Sequence, residues 1–288
     1  MNGAWIDWLQ LAACAAVIFA AGTRLVRYGD VIARRTGLGG SWVGVVLVAT
    51  VTSLPELVTG IASVTIADVP DIAVGNVIGA CVLNLALLAV LDALHRKASI
   101  YSVASQGHVL GAAFGIVMLG VAAFGILAAT QLGAGVAHVG AASLALLALY
   151  AVAVRTVHVY ERAARRGAAD DDVEDPSALT LRQAALGYAV AAAFVIAAAL
   201  ALPFAARQLA ESMGWSQGFV GTLLVAATTT LPELVVTVAA VRLGALDLAI
   251  GNLVGSNLFN LALLGRCWRR SPRTMRCRRW PRRRCPAR

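Results

Sequence analysis

Apolar residues run along this chain in long blocks, without the one-sided or alternating patterns of a water-soluble fold. A helix that crosses a bilayer needs about 20 mostly apolar residues. Eight blocks reach that length, at 5–26, 41–66, 72–94, 108–129, 136–154, 186–206, 216–241 and 245–264. They predict an all-α integral membrane protein. The first block reads as a retained helix rather than a leader, because Asp7 stands where a basic flank belongs and Arg24 and Arg27 follow the apolar run.

Two of these helix pairs are copies of each other. VGVVLVATVTSLPELVTGIASV, from Val43, aligns with VGTLLVAATTTLPELVVTVAAV, from Val220. DIAVGNVIGACVLNLALL, from Asp71, aligns with DLAIGNLVGSNLFNLALL, from Asp247, with one residue fewer in the turn between. An odd number of spans separates the copies, so equivalent helices cross the membrane in opposite directions. Inverted repeats of this kind build secondary transporters, whose sites lie near the midplane where the halves meet. The expected organisation is a first half at 1–154 with its repeat at 41–94, a polar linker at 155–185, and a second half at 186–264 with its repeat at 216–264.

Charge orients this arrangement. With the N-terminus outside, the inner connections collect Arg24, Arg27, Arg34, Arg35, Arg96, Lys97, Arg155, Arg162, Arg165, Arg166, Arg182 and Arg242, whereas the outer ones hold only Arg207. Basic residues favour the cytoplasmic side, so the linker, with its acidic run Asp170, Asp171, Asp172, Glu174 and Asp175, is expected in the cytoplasm as a solvated connection.

Composition agrees: 59% of the 288 residues are hydrophobic, 14% are charged, and the mean hydropathy is +0.77. A soluble domain carries roughly 25% charged residues. The net charge of +9 does not indicate nucleic-acid binding, because 11 arginines and no acid lie between Arg266 and Arg288. The first 265 residues hold 13 basic against 15 acidic groups. Cys14, Cys81, Cys267, Cys277 and Cys285 lack CxxC spacing, and His95, His108, His138 and His158 stand singly. The pattern predicts no zinc site, no disulfide framework and no enzyme active site.

The polar residues inside the spans carry the chemistry. Glu56 and Glu233 sit near the middle of apolar blocks, where a carboxylate costs at least ~2.5–3.5 kcal/mol. Ala49, Thr52, Ser53 and Glu56 share one helical face, as do Ala226, Thr229, Thr230 and Glu233. Hydroxyls and carboxylates are hard oxygen ligands suited to Ca²⁺, Na⁺ or Mg²⁺. Pro55 and Pro232 are expected to interrupt their helices and release the carbonyls of Val51 and Thr228. In the second helix of each copy, Asn84 and Asn260 are candidate ligands, Gly75, Gly79, Gly251 and Gly255 are packing positions, and Asp68, Asp71 and Asp247 are helix-end residues. Two carboxylates amid neutral oxygens balance one Ca²⁺, or hold Na⁺ ions in its place.

These motifs resemble those of the calcium/cation antiporter superfamily, and most closely the prokaryotic sodium/calcium exchangers. The residues that carry the resemblance are TSLPEL at 52–57, GNVIGACVLN at 75–84, TTLPEL at 229–234 and GNLVGSNLFN at 251–260. The resemblance implies an inverted-repeat exchanger fold of ten helices, about eight of which are present here. It also implies exchange of external Na⁺ for cytoplasmic Ca²⁺ across the inner membrane. The implied ligands are the Ala49 carbonyl, Thr52, Ser53, Glu56, Asn84, the Ala226 carbonyl, Thr229, Thr230, Glu233, Ser256 and Asn260. Val51 and Thr228 replace motif glycines, Thr230 a serine, Ala80–Cys81 a Ser–Asn pair, and Asn260 the Asp of some relatives.

The expected activity is Na⁺/Ca²⁺ antiport by alternating access. H⁺-coupled Ca²⁺ exchange, or a non-transporting fragment, are the alternatives. Apart from the transported ions, no cofactor is expected, the partners are the bilayer and inorganic cations, and no oligomer is required. Copy two lacks the two spans that follow copy one. The arginine-rich stretch at 265–288 takes their place, and a shifted reading frame past codon 264 is expected to encode them.

Overall fold

The computed structural model describes residues 4–65, 70–94, 99–100, 105–131, 137–167, 179–214 and 225–267, and every regular element among them is helical. The stretch from 268 to 288, the acidic linker run and Asp68 lie outside the described residues, as do the side chains of Asp71 and Ala226.

Helix α1 spans Ala4–Thr36. The second predicted span is broken: a short turn α2 (Gly40–Val43) leads into a π-helical segment, Gly44–Val48, then α3 (Ala49–Thr52), and α4 (Leu54–Thr65) begins after Ser53. There follow α5 (Pro70–Leu94), α6 (Gln106–Gln131), α7 (Ala137–Gly167) and α8 (Leu181–Met213). The second repeat supplies α9 (Val225–Thr229), α10 (Leu231–Arg242) and α11 (Leu246–Cys267).

Six of the described helices are long and apolar enough to cross a membrane, and the bent pair at Ser53 makes a seventh span. The remaining predicted block, 216–241, is described only from residue 225, as α9 and α10. Helices α1 and α7 run well beyond the predicted 26 and 154, because the apolar run marks only the lipid-facing length. Arg155 to Gly167 is rich in Ala, Arg and other residues that continue a helix without requiring burial.

Helix α11 is the axis of the fold. It packs against α5, α6, α7, α10 and the whole broken second span, while α1 lies along α8 and α10. Of the α11 span, 72% is buried in protein, against 17–44% for the other spans. Glycines make this possible. A Cβ on Gly251 would stand 2.7 Å from the Ser41 carbonyl oxygen, and one on Gly44 would stand 2.7 Å from that of Leu248. At Gly255 an added Cβ would collide with the Val45 backbone. The π-helical segment and α11 therefore touch backbone to backbone, as small residues permit in membrane helices. The corresponding Gly75 and Gly79 on α5 differ: a Cβ there meets no described residue within 4 Å. The second-repeat residues equivalent in sequence to 41–45, at 218–222, lie outside the described residues.

A polar cluster ties the helix starts together at the end of the bundle where α2, α6 and α11 begin. His108 Nε2 lies 2.9 Å from Asp247 Oδ1 and 3.2 Å from Ser41 Oγ, and Ser41 Oγ lies 2.8 Å from Ser105 Oγ. The Trp42 N–H donates to the buried Glu161 carboxylate at 3.4 Å. Asp247 occupies the first turn of α11, where a carboxylate is favoured by the helix dipole.

Candidate cation site

Both repeats break their first helix at the same motif position. Ser53 has φ −90 and ψ 4, and Thr230 has φ −84 and ψ −3, so the two breaks share one backbone conformation. A new helix starts at the next residue, which places Pro55 and Pro232 in its first turn, where the missing N–H is not needed. The expected interruption is present, but it falls at Ser53 and Thr230, two residues before each proline. The bend across the first break is 43°. Each new helix also begins with its carboxylate: Glu56 and Glu233 lie in the first turn, close to the positive end of the helix dipole. Sequence and local structure thus deliver two acidic half-helix ends to one depth.

The side chains that converge there are out of contact with solvent. Ala49, Thr52, Ser53, Thr229, Glu233, Asn252, Ser256 and Asn260 are fully buried, with Glu56 and Asn84 at 1% exposure and Thr230 at 5%. The Ser53 hydroxyl donates to Glu233 Oε1 at 3.0 Å, and Ser256 does so at 3.5 Å. The Thr52 hydroxyl lies 3.1 Å from Asn252 Oδ1 and 3.4 Å from Ser256 Oγ. Asn252 Nδ2 in turn donates to Thr237 Oγ1 at 3.2 Å. Asn84 Nδ2 donates to Asn257 Oδ1 at 3.1 Å. Glu56 and Glu233 are near enough to interact electrostatically. Thr229 approaches the Glu56 carboxylate, but neither Glu56 oxygen reaches hydrogen-bond geometry with any partner.

Thr52, Ser53, Glu233 and Ser256, four of the sequence-predicted site residues, are therefore joined in one hydrogen-bonded group spanning both repeats. Glu56 and Thr229 stand beside each other, and Asn84 and Asn260 are buried on the paired helices α5 and α11. The Ala49 carbonyl accepts from the Ser53 N–H at 3.0 Å and faces the Thr52 hydroxyl at 3.3 Å. Ala226 lies in α9. Three residues of the network were not predicted as functional: Asn252, Asn257 and Thr237. The repeated GN and GSN positions signalled the two asparagines, whereas nothing in the sequence marked Thr237.

Chemically, the group is a buried cluster of hard oxygen donors. Among the described residues, neither carboxylate pairs with a basic side chain, and no three His, Cys, Asp or Glu side chains gather as a metal cage. The unpartnered atoms include both Glu56 oxygens, Glu233 Oε2, Thr230 Oγ1 and the side-chain oxygens of Asn84 and Asn260. Buried polar groups left without partners are costly, and hard cations are among the ligands that clustered oxygens bind.

Comparison with known proteins gives four consistent matches. The family described as "Sodium/calcium exchanger protein" matches residues 6–158 and 183–279. The inner membrane protein YrbG of Escherichia coli (strain K12) is 29% identical over 256 residues, covering 86% of this chain and 74% of YrbG. The sodium/calcium exchanger MaX1 of Methanosarcina acetivorans is 51% identical over 55 residues, 19% of this chain and 16% of MaX1. The fold matches a solved structure of the sodium-calcium exchanger NCX_Mj with a TM-score of 0.70 at 21% identity, covering 91% of this chain and 82% of that one.

Proposed function

Because this chain belongs to the sodium/calcium exchanger protein family, we propose that it is a secondary antiporter that exchanges Na⁺ for Ca²⁺ by alternating access. The observation that carries the reading is the proximity of Glu56 and Glu233, one from each inverted repeat, both buried and with no basic counter-charge among the described residues. Together they neutralise one Ca²⁺. The hydroxyls of Thr52, Ser53, Thr229, Thr230 and Ser256, the amides of Asn84 and Asn260, and the Ala49 and Ala226 carbonyls complete its oxygen shell, or hold Na⁺ in its place. An empty pair of facing carboxylates is unfavourable in apolar surroundings, so the site changes access when filled and resists doing so when empty. That condition converts two separate binding events into exchange.

The halves 1–154 and 186–264 are the moving units, and the linker at 155–185 joins them on the cytoplasmic side. The protein sits in the inner membrane with its N-terminus outside, as the distribution of arginine predicts. Hydroxyls and amides carry no exchangeable charge, so their number favours Na⁺ over H⁺ as the coupling ion. Proteoliposomes test this directly. An imposed Na⁺ gradient is expected to drive ⁴⁵Ca²⁺ accumulation, and a pH gradient alone is not. Uptake driven by pH and indifferent to Na⁺ would instead identify an H⁺-coupled exchanger.

A further inference from the structure

The two repeats align closely in sequence but differ in hydrogen bonding. Three polar side chains of the second repeat hold a site group in place, and each has a counterpart in the first repeat that is unable to. Thr237 accepts from Asn252 Nδ2. Its counterpart is Gly60, and Asn76 Nδ2, the equivalent donor, is buried without a partner. Ser256 reaches Glu233. Its counterpart is Ala80, and both oxygens of Glu56 are unpartnered. Asn257 accepts from Asn84 Nδ2 across the α5–α11 interface. Its counterpart is Cys81, and the side-chain amide of Asn260 has neither its nitrogen nor its oxygen bonded.

The third case bears most directly on ion binding. A carboxamide can present either its oxygen or its nitrogen to a cation, and only the oxygen binds. With Nδ2 held by Asn257 at 3.1 Å, Asn84 is fixed in the binding orientation, and its Oδ1 is buried and unpartnered. A thiol is a weak donor and a weak acceptor. Cys81 Sγ lies 4.0 Å from the backbone carbonyl oxygen of Asn257 and makes no hydrogen bond to Asn260.

We infer that Asn257 is a positioning residue that presets Asn84 as an oxygen donor to the cation, and that Cys81 leaves the opposing Asn260 free to turn. One amide ligand is then preorganised, and the other must be ordered by the ion itself. Asn257 touches no ion in this scheme and acts only through Asn84. The inference rests on the antiport reading above.

Paired substitutions in the full chain, reconstituted in proteoliposomes, test it. Asn257→Leu keeps the volume and removes the acceptor, and it is expected to raise the half-saturating Ca²⁺ concentration about 3–10-fold, the factor that one hydrogen bond supplies. Cys81→Asn restores the missing clamp on Asn260 and is expected to lower half-saturation about 3-fold, with no loss of melting temperature. A merely structural role would lower the melting temperature or the maximal rate of Asn257→Leu and leave half-saturation unchanged, which overturns the inference. If Asn257→Leu does not fold, Cys81→Asn decides alone: unchanged or weaker Ca²⁺ binding refutes the proposal. A parent chain that shows no saturable Ca²⁺ uptake would remove the antiport reading, and this inference with it.

Discussion

Ser53 and Glu233, from opposite repeats, are joined by a hydrogen bond of 3.0 Å between two fully buried side chains. The related pair, Thr230 and Glu56, makes no such bond: the Thr230 hydroxyl and both Glu56 oxygens are unpartnered. One carboxylate is therefore held across the pseudo-twofold axis by this bond, and the other lacks its equivalent.

Removing the Ser53 donor leaves Glu233 with only its longer contact to Ser256. Ser53→Ala is expected to destabilise the cation-free protein by about 1–3 kcal/mol, the usual penalty for a buried acceptor left unsatisfied. Thr230→Ala, which removes a hydroxyl that is already unpartnered, is expected to cost less than half as much. Thermal unfolding in detergent with cations chelated measures both, and equal losses would contradict the asymmetry.

Glu56→Gln and Glu233→Gln keep the shape of the side chain and remove the charge that balances a divalent ion. Each is expected to abolish ⁴⁵Ca²⁺ flux while leaving expression and membrane insertion near the parent level. Both substitutions relieve an unpaired buried charge, so melting temperature in chelator is expected to rise or hold. Normal flux in either variant would exclude that carboxylate from the site.

Much of this was legible in the sequence, and the missing parts have physical reasons. The inverted repeat marked the two carboxylates, because an ionisable group within a span is costly and coincidence does not place two at matched depth. The central position of α11 was hidden. Its span has a mean hydropathy of only 1.2, the lowest of the six spans, because a helix surrounded by protein can carry Asn252, Ser256 and Asn260. Hydropathy reports contact with lipid, and α11 meets little. The pairing of His108 with Asp247 was equally invisible, since the two are separated in sequence by the end of the first half, the linker and most of the second half. Pro55 and Pro232 announced a disturbance, but not that the helix would restart one residue before each.

Thr237 tests whether the network extends behind the ligands. Its hydroxyl accepts from Asn252, which lies 3.1 Å from Thr52. Thr237→Val preserves volume and deletes the acceptor, so the buried amide of Asn252 loses its anchor. We expect a loss of about 1–3 kcal/mol in stability and a several-fold rise in half-saturating Ca²⁺ through Thr52. If stability falls while half-saturation stays constant, Thr237 supports the fold and has no influence on the site.

The glycines give the most direct test of the packing. Gly251 and Gly255 carry α11 against the backbone of the π-helical segment, where a methyl group would stand 2.7 Å from the Ser41 oxygen or strike Val45. Backbone atoms on both sides leave no flexible side chain to yield. Gly251→Ala and Gly255→Ala are therefore expected to cost about 1–3 kcal/mol each from overpacking, and to displace Ala49 and Thr52, which follow that segment in the site. Gly75→Ala and Gly79→Ala place the same methyl group where no described residue lies within 4 Å. There the gain in helix propensity, about 0.5–1 kcal/mol, is unopposed by any described residue, and melting temperature is expected to hold or rise. Four single substitutions followed by thermal unfolding and Ca²⁺ uptake separate the two pairs. Comparable damage at Gly75 and Gly79 would show that this face of α5 is as closely packed as that of α11, and the asymmetry between the repeats would have to be abandoned.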